Sequence, residues 1–160
     1  MLPSELSRYT GYLVRRAQQA HAALWLRAGE SEVTSVQFGV LSLLDSNPSI
    51  DQRSLGDLLQ LDRSTIADVV LRLESRGYIE RVRDAVDRRR KILTLTEQGR
   101  EELRALLPHA ENINAALVAG LNPADQHELN RLLRLLIASH SDFDDEDAVR
   151  GDSDAPDATR

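Results

Sequence analysis

Apolar residues recur along this chain at two periods, and the change of period locates the elements. From residue 2 to residue 28, Leu6, Tyr9, Leu13, Ala17, Ala20 and Leu24 return at three- and four-residue steps, predicting one long helix with a buried stripe. A second stripe on the same segment runs through Val14, Gln18, His21 and Trp25, with Arg15 at its edge. A helix with two packed faces is sandwiched, as at a subunit interface. Thr34 and Gln37 stand at capping-box spacing ahead of Val36, Val40, Leu41, Leu43 and Leu44, and Asn47-Pro48 ends that second helix. Ser49 or Asp51 caps a short third helix with Leu55, Leu58 and Leu59. Asp62 caps a fourth, whose Ile66, Val69, Val70 and Leu73 face inward before Arg76-Gly77 closes it.

The period then falls to two. Tyr78 to Arg83 and Lys91 to Leu95 alternate like strands, and Asp84 to Arg90 between them is dense in charge, giving a β-ribbon with an arginine-loaded tip. Thr96 caps a long fifth helix carrying Leu103, Leu106, Leu107, Ile113 and Leu117, with a kink expected at Pro108. Asn122-Pro123 opens a sixth. Its Leu129, Leu132, Leu133, Leu135, Leu136 and Ile137 exceed what one covered face needs, which predicts a subunit interface; a broad intramolecular core face is the plainer alternative. The fold class is therefore mainly α with a small β-wing: a winged helix-turn-helix domain plus a helical part.

Composition narrows the chemistry. With 160 residues and 41% hydrophobic content, the chain suffices for one domain with a real core. No apolar run approaches membrane-spanning length and no signal-peptide pattern is visible, so a cytoplasmic protein is expected. The absence of cysteine excludes disulfides, thiolate metal sites and thiol redox sensing. The net charge of -6 is concentrated in residues 141–160, whose eight acids face only Arg150 and Arg160. The remaining residues are neutral overall and locally basic, which suits nucleic-acid binding through one surface, and the acidic tail reads as disordered.

Two short helices joined by a tight turn form a helix-turn-helix whose second helix enters the major groove. The side chains it would present are Arg63, Ser64, Thr65 and Asp68, with Arg72 further along. Asp68 either accepts from a cytosine amino group or pairs with Arg72, and the internal pair carries more weight. On the ribbon, Arg88, Arg89, Arg90 and Lys91 repel one another unless an anion offsets them, and DNA supplies one. Arginine suits the narrow minor groove, and Asp87 can hold one guanidinium and aim its neighbour. A basic run alone would read as a solvated turn; the helix directly before it favours the nucleic-acid reading.

These residues carry a resemblance. Leu61-Asp62-Arg63-Ser64-Thr65-Ile66, then Leu73 to Arg81, Asp84, Asp87-Arg88-Arg89, and Leu95-Thr96-Glu97-Gln98-Gly99 resemble the MarR family of winged helix-turn-helix transcriptional regulators. The resemblance covers roughly residues 6–138. It implies a homodimer on a palindromic double-stranded operator, with Ser64 and Thr65 toward the major groove and Arg89, oriented by Asp87, in the minor groove. It also implies the division of the chain: 1–30 for dimerisation and an effector pocket, 34–95 for DNA binding, 96–140 for dimerisation through helices five and six, and 141–160 as the acidic tail. Two departures bear on sequence preference: Arg90 stands where a small residue is usual, and Asp68 where a neutral or basic one is common.

Within the sensing chemistries of that family, the missing cysteines remove thiol oxidation. The scattered His21, His109, His127 and His140 offer no metal cluster. A small organic effector remains, and no cofactor is implied. Arg15, Gln18, His21 and Trp25 on helix one suit an aromatic carboxylic acid: a cation for the carboxylate, an imidazole for a hydroxyl and a flat apolar wall. Leu13 to His21, Val33 to Phe38 and Ile50 to Arg53 are also similar to the aromatic-acid-responsive branch of the family. The competing reading of the same residues is structural, with Arg15 paired across a dimer and His21 an ordinary core histidine. As a function class, an enzyme is disfavoured, because nucleotide-binding glycine loops, nucleophile elbows and convergent carboxylates are missing. A constitutive DNA-binding or architectural protein with no effector is the alternative to a ligand-released repressor.

Overall fold

The computed structural model describes residues 5–27, 32–84 and 91–139. They fall into two compact units, residues 1–117 and 118–160. The first holds a 3-10 turn (Leu6–Arg8), α1 (Thr10–Arg27), α2 (Ser35–Ser46), β1 (Ile50–Asp51), α3 (Gln52–Leu59), α4 (Arg63–Ser75), β2 (Ile79–Arg83), β3 (Lys91–Leu95) and α5 (Glu97–Leu117). The second holds α6 (Pro123–Ala138).

Local chemistry sets most of these boundaries. Thr34 and Gln37 close a reciprocal capping box on α2. Asp51 caps α3 through the Ser54 N–H, leaving Ser49 at a positive φ of 76° in the preceding turn. Asn122 caps α6 with Pro123 at its first position, where the missing N–H costs nothing. One expectation needs correction. Helix one does not run unbroken from residue 2 to 28: Tyr9 takes an extended conformation between the 3-10 turn and α1. Residues 2–4 and 28 lie outside the described residues. Nor is the predicted stripe of Leu6, Tyr9 and Leu13 buried; α1 contains no buried residue. Its 3.6-residue pattern specifies the helix, yet among the described residues most of that face is uncovered.

The core belongs to the winged module. Val40, Leu41 and Leu44 of α2 pack with Leu55 of α3, Ile66, Val70 and Leu73 of α4, Ile79 of β2, Leu93 and Leu95 of β3, and Leu103 and Leu106 of α5. The sheet is antiparallel in the order β1-β3-β2. Strand β1 was not anticipated: a two-residue strand carries too little alternation to be seen, and it forms because Ile50 and Asp51 pair with Leu93 and Ile92.

A clasp joins α4, the wing and α5. Gly77, at φ +74°, turns the chain out of α4. The Thr96 hydroxyl donates to the Gly77 carbonyl at 2.6 Å and accepts the Gly99 N–H at 3.0 Å, while the Thr96 N–H donates to the Tyr78 carbonyl at 3.1 Å. Gly99 packs so closely here that a Cβ would lie 1.9 Å from the Tyr78 oxygen.

Candidate nucleic-acid interface and effector cleft

Helix α4 presents two faces of opposite character. Ile66, Val70 and Leu73 are buried. At about 100° per residue, Ser64, Thr65, Asp68 and Arg72 share the opposite stripe, and Arg63 falls on the flank toward Val70. Ser64, Asp68 and Arg72 are exposed and Thr65 is half-buried. The sequence therefore locates the outward stripe, although Arg63 stands off it.

One detail differs from expectation and a second adds to it. No ion pair joins Asp68 to Arg72 among the described residues, so the favoured internal pair is not made; both side chains point along an open surface where solvent screening leaves little to gain from pairing. Ser64 and Thr65 are not free hydroxyls either. Asp62 Oδ1 accepts from Ser64 Oγ at 2.5 Å and from the Thr65 N–H at 2.8 Å, and Oδ2 accepts from Thr65 Oγ1 at 2.6 Å. These hydrogen bonds, first those from the two hydroxyls, hold the Asp62 carboxyl well below the usual carboxylate range.

The wing begins as predicted. Strands β2 and β3 pair from Ile79–Leu95 to Arg83–Lys91, so two exposed cations stand directly opposite each other at the far end of the ladder. Like charges in that position are unfavourable without a counter-anion. Asp87, Arg88, Arg89 and Arg90 of the tip lie outside the described residues. Away from this surface, Arg76 pairs with Glu32 and Arg81 with Glu74, each at 3.1 Å.

On α1, the four candidate effector residues divide into two pairs. His21 and Trp25 are half-buried with ring centroids 6.1 Å apart, and Trp25 also meets Phe38 of α2 and, edge-on, His109 of α5, each at 5.6 Å. The Trp25 indole N–H donates to the Val33 carbonyl at 2.7 Å. Trp25 thus offers a ring surface and no spare donor. Arg15 and Gln18 are exposed, and neither makes a hydrogen bond or ion pair among the described residues. Helix α1 thus carries an exposed cation and an amide on the turns before a cluster of aromatic rings. Phe38 and His109 were missed from sequence because they meet Trp25 only through the packing of α2 and α5.

An open groove of about 440 Å³ between α1 and α5 is lined by Leu24, Arg27, Pro108, His109, Asn112 and Ile113, among others. None of the four α1 candidates lines it. Among the described residues, no group of three or more His, Asp or Glu is placed to hold a metal ion.

Comparison with known proteins places these features in context. A model described as the MarR family matches residues 33–91. The chain is 33% identical over 138 residues to the HTH-type transcriptional repressor NicR of Pseudomonas putida, covering 86% of this chain and 87% of that protein. Its fold is similar to that of the PcaV transcriptional regulator of Streptomyces coelicolor, solved in complex with its natural ligand, at 40% identity and a TM-score of 0.78; 86% of this chain and 98% of that one are covered. BpsR of Bordetella bronchiseptica, solved in a study of how 6-hydroxynicotinic acid regulates its DNA binding, matches at 32% identity and a TM-score of 0.78, over 84% of this chain and 97% of its own.

Proposed function

The chain belongs to the MarR family of transcriptional regulators, and on that premise we propose that it is a homodimeric repressor that a small aromatic carboxylic acid releases from a palindromic operator. The DNA surface is the outward stripe of α4, with Ser64, Thr65, Asp68 and Arg72 and with Arg63 on its flank, together with the wing tip from Asp87 to Arg90. The exposed leucines of α6 and the uncovered face of α1 support dimerisation through α1, α5 and α6. Two copies of α4 then read successive major grooves, about 34 Å apart. Repression requires no catalytic step, and the relatives it matches are transcriptional regulators. Among the described residues, no helix is long and apolar enough to cross a membrane. The protein acts in the cytoplasm, where its DNA is.

One observation carries the effector reading: Arg15, exposed and unpaired among the described residues, stands on the same helix as a ring cluster of His21 and Trp25. Arg15 offers a cation to a carboxylate and Trp25 a flat wall to a ring, with Gln18 and His21 between them along α1 to meet ring hydroxyls. BpsR responds to an acid of this class. The acid works by binding more tightly to an arrangement of the two α4 helices that misses the grooves.

The test is a titration of labelled DNA adjoining this protein's own gene, with and without protocatechuate, 4-hydroxybenzoate, hydroxycinnamates and 6-hydroxynicotinic acid. Tight binding released by one acid is expected. Arg15→Ala should bind the same DNA and lose the response; an unaltered response returns Arg15 to a structural role.

A further inference from the structure

The network at the start of α4 fixes more than a helix end. A hydroxyl owns one proton and two lone pairs. The protons of Ser64 and Thr65 are both donated to Asp62, in hydrogen bonds of 2.5 and 2.6 Å that have the length of charge-assisted contacts. What each hydroxyl turns outward is therefore lone pairs alone. Asp68, exposed on the same stripe, is a carboxylate and likewise only accepts. Along the outward stripe Ser64, Thr65 and Asp68 present acceptors; the donors nearby are Arg63 on the flank and Arg72 further along. The depressed carboxyl of Asp62 keeps both of its oxygens accepting throughout the neutral pH range.

In the major groove, the exocyclic amino groups are the donors: N4 of cytosine and N6 of adenine. Guanine offers O6 and N7, and thymine offers O4 and a methyl group. We propose that Asp62 is a specificity-determining residue: by taking the Ser64 and Thr65 protons it makes α4 an acceptor surface that reads the amino edges of cytosine and adenine and rejects the oxygen edges of guanine and thymine. Rejection arises because an acceptor facing O6 or O4 leaves both groups desolvated and unpaired. Asp62 acts through its neighbours as a positioning residue. The inference rests on the reading of α4 as a DNA-reading helix.

Asp62→Asn tests it, because asparagine caps a helix about as well as aspartate and α4 is retained. Its carbonyl keeps the Thr65 N–H, while its NH2 replaces the oxygen that took the Thr65 hydroxyl proton. That hydroxyl must then accept, and its own proton turns outward. Full-length wild type, Asp62→Asn, Thr65→Val and the double variant would each be taken through rounds of selection on a library of random double-stranded DNA.

Wild type should enrich cytosine or adenine on the contacted strand beneath the start of α4. Asp62→Asn should move one position in each half-site toward guanine or thymine, by about tenfold. The shift should vanish when Asp62→Asn is made on Thr65→Val, which has no hydroxyl to reverse. Removing a negative charge also strengthens phosphate contact on every sequence alike. An Asp62→Asn profile that rises uniformly with unchanged base preferences, or a shift that persists without the Thr65 hydroxyl, would overturn the proposal. A wild-type chain that enriches no motif would instead overturn the regulator reading, and this inference with it.

Discussion

Helices α2 and α6 are both rich in leucine and meet opposite fates. In α2, Val40 and Leu41 are fully buried and Leu44 nearly so, because α3, α4, α5 and β3 of the same unit close over them. In α6, every residue except Gln126 is exposed, and Leu135 and Ile137 keep 55% and 64% of their surface open. Leu129, Leu132, Leu133 and Leu136 repeat at three- and four-residue steps, so the stripe is as regular as any in the core. Helical periodicity thus specifies that a face will be covered. Only the closure of the fold decides whether the same chain does the covering. A contiguous apolar stripe of this kind on a water-exposed helix marks an interaction surface.

Substitutions can press on that contrast from both sides. The largest effect is expected at the clasp: Gly99→Ala puts a methyl group inside the contact distance of the Tyr78 carbonyl and should cost more than about 3 kcal/mol in urea unfolding, since a backbone atom must move. A loss under ~1 kcal/mol would show that the junction is softer than its hydrogen bonds suggest. Next comes Leu41→Ala, which opens a cavity in a fully buried site and should cost about 2–5 kcal/mol at every protein concentration.

Leu132→Ser with Leu136→Ser should behave differently. Sedimentation equilibrium should find the dimer weakened, and the remaining loss of stability should depend on protein concentration. A dimer as tight as wild type would assign the α6 stripe some other partner. The smallest effect concerns Asp62. Its carboxyl is held below the ordinary range, so its stabilising contribution is complete at neutral pH and declines as acid protonates it. The gap in urea midpoint between wild type and Asp62→Ala should be widest near pH 7 and narrow below about pH 4. A gap independent of pH would assign the effect to something other than the charged cap.

The legible parts of this molecule were those written in short segments. Thr34, Asp62, Asn122 and Thr96 act on backbone groups three residues away, so their spacing alone announced four helix starts. The wing strands showed in their alternation, and the outward stripe of α4 followed from the inward one. What escaped depended on residues distant in sequence or on competition between partners. Trp25 gains Phe38 and His109 only through packing, and β1 exists only because β3 is there to pair with it. The sharing of the Ser64 and Thr65 protons with Asp62 also escapes the sequence, because cap spacing announces the bond to the backbone and not which hydroxyls the same carboxylate takes.

The Thr96 clasp also settles how motion can travel through the first unit. His109 touches Trp25 at one point on α5 and Thr96 grips α4 and the wing strands at that helix's start, so α5 joins the two across thirteen residues, with Leu103 and Leu106 held in the core between them. That length is about 20 Å at the helical rise. Because Gly99 leaves no slack at the clasp, α4, β2 and β3 should move together as one piece.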